Sequence, residues 1–273
     1  MSFTKNGDIF ILDNKHRLLC GDSTNGSNID ILMNNKNCDM LFTDPPYGYS
    51  YESNMRVESE KFDVIMNDDK ILDFITPFKK YINGFVFICT TWKVLDKWTE
   101  IFKSNFEMSN MIIWDKGGGG IGDLKKTFST DYEIIMVSHN NHNITGKRLG
   151  SVWDVSKDSA DNYIHPTQKP IELSMMAIEN VTNKNDIIVD LFGGSGSTLI
   201  GCLKTDRICY TMELDESYCD KIIRRYYDYT FSNNIKLIRD EADYDFDYIK
   251  NELHLLNGST KKGNIDEDQI RLF

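Results

Sequence analysis

A glycine-rich segment after an apolar run is the clearest sign of chemistry in this sequence. Ile187-Ile188-Val189 predicts a buried strand, and Asp190 to Thr198 leads from it into a predicted helix. Glycines permit a tight turn and close approach of a ligand to the backbone, while a helix N-terminus favours a carboxylate or phosphate. The segment predicts a nucleotide-type pocket at the carboxyl edge of a sheet. It is not a P-loop, and a glycine-rich turn without a ligand is the alternative.

An acidic residue at the end of the next predicted strand supports this pocket. Glu213 lies about 17 residues beyond Gly196, close to the spacing at which an acid usually holds ribose hydroxyls. An acid at a strand end is often only a helix N-cap, which is the role that we expect for Asp215. The spacing and the glycine loop together favour adenosine binding.

The tetrapeptide Asp44-Pro45-Pro46-Tyr47 follows a second apolar run, Met40-Leu41-Phe42. Consecutive prolines remove two backbone donors and stiffen the chain, so an acid, a carbonyl and an aromatic ring are presented with little freedom. That set suits a planar amine: Asp44 and the Pro45 carbonyl can accept its two N–H groups while Tyr47 stacks on the ring. Ordinary turn chemistry after a strand is the alternative.

These segments together resemble the amino-methyltransferases that act on DNA bases. Asp44 to Tyr47 is similar to their catalytic motif, and Asp190 to Gly196 is similar to their cofactor loop. His165 to Pro170 looks like the motif that closes over the methionine end of the cofactor, and Gly21-Asp22-Ser23 resembles their segment near its adenine. The catalytic motif precedes the cofactor loop, as in the circularly permuted β group.

The resemblance implies that S-adenosylmethionine supplies a methyl group to N6 of an adenine in double-stranded DNA. The base must be flipped out, since it cannot be reached inside a duplex. N4 of cytosine is the alternative, although many enzymes of that kind have Ser at the position of Asp44. RNA or protein amide methyltransferases more often have Asn there and an unpermuted order. A non-catalytic DNA-binding module would have little reason to keep both motifs.

The resemblance also implies a set of site residues. The expected catalytic residues are Asp44, Pro45, Pro46 and Tyr47. The expected cofactor-binding residues are Asp22, Asp44, His165, Thr167, Lys169, Asp190, Phe192, Gly193, Gly194, Ser195, Gly196, Ser197, Thr198, Glu213 and Leu214. No metal site is expected, because His139 and His142 have no third ligand near them in the sequence.

Several strands that end at one edge are needed to bring these segments together. Strands are predicted at His16–Cys20, 39–43, 85–90, 111–114, Tyr132–Ser138, 186–192 and 207–212, and helices at 69–81, 93–104, 170–182, 197–203 and 216–229. Loops are predicted at 48–61, 117–122 and 139–163. The alternation predicts an α/β fold, and with the resemblance a Rossmann-like methyltransferase fold whose mostly parallel, doubly wound sheet has helices on both faces.

The charge balance bears on the expected DNA partner. The 273 residues carry a formal net charge of −11, which disfavours tight non-specific binding to phosphates. Basic residues cluster locally, however, at Lys79-Lys80, at Lys116 with Lys125-Lys126, at Lys147-Arg148, and at Lys221 with Arg224-Arg225. A short target-recognition insert is expected at about 139–164. Its small size suggests that other loops, a homodimer or a second recognition subunit share in sequence reading.

Location and the chain end complete the sequence-based expectations. Six cysteines without C-x-x-C spacing, and the absence of a signal peptide or an 18-residue apolar run, predict a cytoplasmic protein without a membrane span. We expect a methyltransferase domain over 1–256 and a flexible tail over 257–273. Gln269 to Phe273 resembles the pentapeptide with which bacterial proteins dock on the sliding clamp. Folding of this peptide back onto the domain is the alternative.

Overall fold

The computed structural model describes residues 2–48, 71–118, 126, 128–156 and 169–255. Eleven strands within these ranges form one sheet. The strands are β1 (Ile9–Leu12), β2 (His16–Cys20), β3 (Cys38–Thr43), β4 (Ile82–Thr90), β5 (Asn110–Asp115), β6 (Tyr132–Ser138), β7 (Val152–Asp154), β8 (Ile187–Asp190), β9 (Ile208–Glu213), β10 (Ile235–Arg239) and β11 (Ala242–Tyr244).

Helices alternate with these strands. They are α1 (Gly26–Met33), α2 (Ile75–Phe78), α3 (Leu95–Asn105), α4 (Ile171–Val181), α5 (Ser197–Lys204), α6 (Glu216–Thr230) and α7 (Phe246–Leu253), with 3₁₀ turns at Lys79–Tyr81 and Trp92–Val94. No helix among the described residues is long and apolar enough to cross a membrane.

The strand order is β11-β10-β1-β2-β9-β8-β3-β4-β6-β5-β7. The α/β fold is as predicted, but the sheet is mixed: its five central strands are parallel, β7 pairs parallel with β5, and the remaining pairings are antiparallel. β2, β9, β8, β3 and β4 run in one direction, whereas β1, β10, β11 and β6 join through antiparallel pairings. Short connections account for the antiparallel pairs β1–β2 and β10–β11, since parallel neighbours need a long crossover. For example, Asp13 and Asn14 turn with positive φ between β1 and β2.

The sheet separates two apolar layers. Phe42, Trp114 and Ile135 belong to the cluster on one face, together with residues of α4, α5 and α6. Leu41 and Trp98 belong to the cluster on the other face, together with residues of α1, α2 and α3. Alternate residues of a strand point to opposite faces, so burial on both faces explains the continuous apolar runs in the central strands.

Two predicted segments differ from the structure. The predicted helix 69–81 is shorter: 71–74 are irregular, α2 begins at Ile75, and residues 69 and 70 lie outside the described residues. The predicted loop 139–163 contains β7, which pairs parallel with β5. Three residues are too few for the sequence alternation to reveal a strand.

Candidate active site

The central parallel strands bring the predicted chemistry to one edge of the sheet. Asp44 follows β3, Asp190 ends β8, Glu213 ends β9, and Asp22 lies two residues after β2. Because these strands are neighbours and run in one direction, their carboxyl ends meet. The motifs that are far apart in the sequence therefore share one surface, as predicted.

Asp190 joins the two main motifs. Its Oδ1 accepts a hydrogen bond from Thr43 Oγ1 at 3.0 Å, and its Oδ2 accepts one from Thr198 Oγ1 at 2.7 Å. The Phe192 N–H also donates to Oδ1. Burial raises the pKa of Asp190 to about 7, against the effect of these donors. The carboxyl thus fixes the end of β3 against the start of the glycine loop.

The glycine loop uses conformations that suit glycine. Gly194 and Gly196 have φ values of +51° and +81°, in the left-handed region where a side chain is disfavoured. A Cβ on Gly193 would lie 2.7 Å from a threonine hydroxyl of β9. Arg225 of α6 donates to the carbonyl oxygen of Ser195 at 2.9 Å. Close packing and one buried guanidinium therefore hold the loop in place.

Glu213 contacts the same loop from the neighbouring strand. Its Oε2 accepts from the Gly194 N–H at 2.7 Å, and its Oε1 accepts from the Asp215 N–H at 2.8 Å. Each carboxylate oxygen keeps a further lone pair for a ligand donor. Burial raises the pKa of Glu213 to about 7, against these hydrogen bonds. Asp215 caps α6 by accepting from the backbone N–H groups of residues 217 and 218, which confirms its predicted role.

Asp22 and Leu214 lie beside Glu213. The Gly21 N–H donates to the Glu213 carbonyl oxygen at 2.9 Å, which fixes the loop after β2 against the end of β9. Asp22 Oδ1 accepts from the backbone N–H and the hydroxyl of Thr24, each at 2.8 Å. Asp22, Glu213 and Leu214, all predicted to bind the cofactor, therefore lie together where β2 and β9 end.

Lys169 and Tyr47 surround the carboxylate of Asp44. Lys169 Nζ lies 2.6 Å from Asp44 Oδ2 and 3.1 Å from the Tyr47 hydroxyl. That hydroxyl lies 2.8 Å from Asp44 Oδ1 and 3.2 Å from Glu133 Oε2, and its single proton can serve one of them at a time. The Asp44 side chain is 20% exposed, so a ligand can reach it. The Lys169 carbonyl oxygen accepts from the Ser197 hydroxyl, which links this group to the start of α5.

Sequence reasoning assigned no role to Glu133 and placed Lys116 only in a basic cluster. Glu133 Oε2 lies 3.0 Å from Lys169 Nζ, and its Oε1 lies 3.4 Å from Lys116 Nζ. Burial alone would raise the pKa of Glu133, but the two ammonium groups outweigh it and lower the pKa to about 2. The one sequence signal is an acid near the start of an otherwise apolar strand. Its place beside Asp44 depends on the antiparallel pairing of β6 with β4.

The segment that contains the two prolines and Tyr47 packs against the protein interior. Pro45 is buried and Pro46 is partly exposed, and Trp98 Nε1 donates to the Tyr47 carbonyl oxygen at 3.3 Å. Phe192 packs edge-on against Phe74, with 5.1 Å between ring centroids. Both aromatic residues named in the sequence analysis thus lie near the edge that carries Asp44.

The other predicted segments lie outside the described residues or at another edge of the sheet. His165, Thr167, the loop 49–61 and the clamp-like peptide 269–273 lie outside the described residues. The first part of the expected recognition insert, 139–146, follows the end of β6 and bonds to α4 near its C-terminus, where Asn180 accepts from the backbone of Thr145 and Gly146. That is the edge opposite Asp44, because β6 runs from Glu133, beside the Asp44 group, to Ser138, a length of roughly 17 Å.

Comparison with known proteins identifies related sequences. A family model described as DNA methylase, of the N6/N4 type, matches residues 136–224. Type II methyltransferase M2.MboI of Moraxella bovis is 27% identical over 222 residues, covering 70% of this chain and 81% of its own length. DNA adenine methyltransferase YhdJ of Escherichia coli K12 is 23% identical over 226 residues, covering 68% of this chain and 75% of its own.

Solved structures share the fold. The M1.HpyAVI complex with SAM superposes with a TM-score of 0.59 at 21% identity, covering 76% of this chain and 98% of its own. PvuII DNA methyltransferase, which is cytosine-N4-specific, also gives 0.59, at 14% identity, covering 88% of this chain and 92% of its own. The Rossmann-like methyltransferase fold expected from the sequence is confirmed.

Proposed function

We propose that this chain, whose residues 136–224 match the family model of N6/N4 DNA methylases, methylates N6 of an adenine in double-stranded DNA. The observation that carries the proposal is the position of Asp44. Its partly exposed carboxylate lies at the same sheet edge as the glycine loop, joined to it through Thr43 and Asp190. One group suited to an amine and one pocket suited to adenosine thus lie side by side.

S-adenosylmethionine is the methyl donor that fits this pocket, and when bound it supplies an electrophilic methyl group on a sulfonium. Glu213 keeps lone pairs for the ribose hydroxyls. A Cβ at Gly193 would collide with Thr211 of β9 and crowd Ile222 of α6, so glycine is required for the loop to pack this closely against the protein. We assign Asp22, Leu214 and Glu213 to the adenosine half. The aromatic rings of Phe192 and Tyr47 suit a cation.

Asp44 acts on the target amine. The amine is a poor nucleophile because its lone pair is conjugated into the ring. Asp44 and the Pro45 carbonyl accept its two N–H groups, which draws the nitrogen towards tetrahedral geometry and aims its lone pair. After the nitrogen gains the methyl group it must lose a proton, and we assign the Asp44 carboxylate as the acceptor. Burial raises the pKa of Asp44, which favours this step, although Lys169 opposes the shift.

Extrusion of the base costs a few kcal/mol. Stacking on an aromatic ring returns about 1–3 kcal/mol per base, and Tyr47 is the ring that we assign to it. Its hydroxyl is fixed between Asp44 and Glu133. A ring held in this way loses little side-chain entropy when the base arrives.

Adenine is favoured over cytosine by two observations. Asp44 stands where many N4-cytosine enzymes have Ser, and one relative over most of the chain is named a DNA adenine methyltransferase. Mass analysis of nucleosides tests the choice. DNA incubated with the protein and isotope-labelled S-adenosylmethionine should yield labelled N6-methyl-2′-deoxyadenosine after digestion. Labelled N4-methyl-2′-deoxycytidine alone would assign the protein to the other base.

A further inference from the structure

The ammonium group of Lys169 binds the Asp44 carboxylate, which is the group that the proposed function assigns to the target amine. Its three N–H donors face three acceptors, at 2.6 Å on Asp44, 3.0 Å on Glu133 and 3.1 Å on Tyr47. The side chain is 9% exposed, so the charge is held in place. A base that replaced the contact between Lys169 and Asp44 would therefore meet one ammonium N–H donor beside one carboxylate acceptor, and the Asp44 side chain is 20% exposed.

This pair is complementary to one edge of two bases. In adenine and in cytosine, the exocyclic amine lies beside a ring nitrogen that accepts a hydrogen bond. Building on the proposed function, we propose that Lys169 donates to this ring nitrogen while Asp44 accepts from the amine. The two side chains then read the Watson–Crick edge of the flipped base together.

The same pair rejects the other two bases. Guanine and thymine have a ring N–H and a carbonyl oxygen at these positions. The N–H would face the Lys169 ammonium and the oxygen would face the Asp44 carboxylate, so that neither side chain forms a hydrogen bond with the base. Unpaired buried polar groups and like charges are the most effective means of discrimination at a site.

Glu133 is the positioning residue in this arrangement. When Asp44 accepts the amine, Glu133 still holds Lys169 at 3.0 Å, while Lys116 lies 3.4 Å from its other oxygen. The two carboxylates and two ammonium groups balance in charge. Burial alone would lower the pKa of Lys169, but the two carboxylates outweigh it and hold the pKa above its ordinary value. Lys169 therefore remains a donor at every working pH.

A cycle that pairs Lys169→Met with an altered base tests the proposal. Target duplexes carry either adenine or 1-deazaadenine, in which a C–H replaces the ring nitrogen, or 3-deazacytosine if cytosine proves to be the substrate. Fluorescence anisotropy gives the Kd of each duplex with the cofactor-loaded protein. For each protein, the ratio of the two Kd values measures how strongly it prefers adenine to the altered base. This ratio should be about 10- to 100-fold larger for the wild type than for Lys169→Met, which is the effect of one hydrogen bond to a charged group.

The design separates this effect from others. The altered base also changes duplex pairing, but the same DNA meets both proteins, so that contribution cancels. A partly unfolded variant does not change the ratio of two affinities once the active fraction is titrated. Lys169→Arg, which keeps a charged donor, should retain discrimination. Glu133→Gln should reduce it, and Glu133→Asp should restore part of it. Lys184→Met, at an exposed pair with Asp206, is the matched control and should behave as wild type.

Two results would overturn the proposal. One is full discrimination by Lys169→Met. The other is loss of cofactor affinity with unchanged discrimination, which would place Lys169 on the methionine end of the cofactor, as the sequence resemblance implies. Either result leaves the proposed function intact if the wild type still produces N6-methyladenine. Absence of any methylated base would instead contradict the proposed function itself.

Discussion

Replacing Glu213 with Gln should remove most of the pH dependence of cofactor binding below neutral pH. The carboxylate form of Glu213 is the acceptor for ribose hydroxyls, and burial raises its pKa to about 7 in the protein without ligand. Protons therefore compete with the cofactor. As pH falls below about 7, affinity should fall, because ligand binding requires the ionised form.

The magnitude follows from the pKa. At pH 5, two units below a pKa of about 7, roughly 1% of Glu213 is ionised, and the free-energy cost of ionising it is about 2.7 kcal/mol. The cofactor Kd should therefore rise up to about 100-fold between pH 8 and pH 5. Glu213→Gln should bind about 10- to 100-fold more weakly than wild type at pH 8, for the loss of charge-assisted hydrogen bonds. Its Kd should change little with pH.

Isothermal titration calorimetry at pH 5, 6, 7 and 8 measures these constants. Glu179→Gln, an exposed change on α4, is the matched control and should follow wild type. The titration of Asp190 and Glu213 does not destabilise the folded protein at low pH, so it cannot lower the cofactor affinity through unfolding. A carboxyl whose folded pKa exceeds its unfolded value binds more protons when folded, so the stability from Asp190 and Glu213 is lost as pH rises towards 7, not as it falls. A flat wild-type Kd, or an equal slope in Glu213→Gln, would refute the reasoning.

Three further changes test other parts of the account. Thr198→Val removes the hydroxyl that donates to Asp190 at 2.7 Å, and the free energy of unfolding in urea should fall by about 1–3 kcal/mol. Gly193→Ala places a Cβ 2.7 Å from a hydroxyl oxygen, so calorimetry should show a raised cofactor Kd. Replacing Lys147 and Arg148 together with Ala should leave the Kd for target DNA within about threefold in gel-shift assays. These two residues follow 139–146, at the edge opposite Asp44, and phosphate contacts act locally.

Each of these predictions has a contradicting result. Unchanged stability of Thr198→Val would mean that Asp190 does not depend on this donor. Gly150→Ala is the control for Gly193→Ala, since a Cβ at Gly150 meets nothing within 4 Å. Equal cofactor affinities of these two variants would contradict the argument from close packing at Gly193. A large loss of DNA affinity in the double variant would place DNA at the edge opposite Asp44.

The parts of the fold that sequence predicted are those with a long apolar signal. β2 and β6 match their predicted bounds, and the central strands that carry the motifs were found within a few residues. β1, β10 and β11, at the antiparallel side of the sheet, and α1, with its Asn25 cap, were missed. β8 and α5 are as short, but the glycine loop between them marks both in the sequence.

Site residues could be predicted where they belong to one continuous motif. They could not be predicted where residues from separate strands come into contact only in the folded sheet. The sequence shows Asp44 and Glu213 within motifs. The contact between Glu133, Lys116 and Lys169 depends on the registers of β4 with β6 and of β5 with β6. Register is set by packing and turn geometry over the whole sheet, so no local pattern indicates it.

The most direct test of the central claim separates binding from turnover at Asp44. The account places this carboxylate on the target amine beside the cofactor pocket. Asp44→Ala should therefore bind S-adenosylmethionine with a Kd within a few fold of wild type by calorimetry. The same protein should transfer no labelled methyl group to DNA under conditions in which wild type does. Substantial methylation by Asp44→Ala would contradict the account.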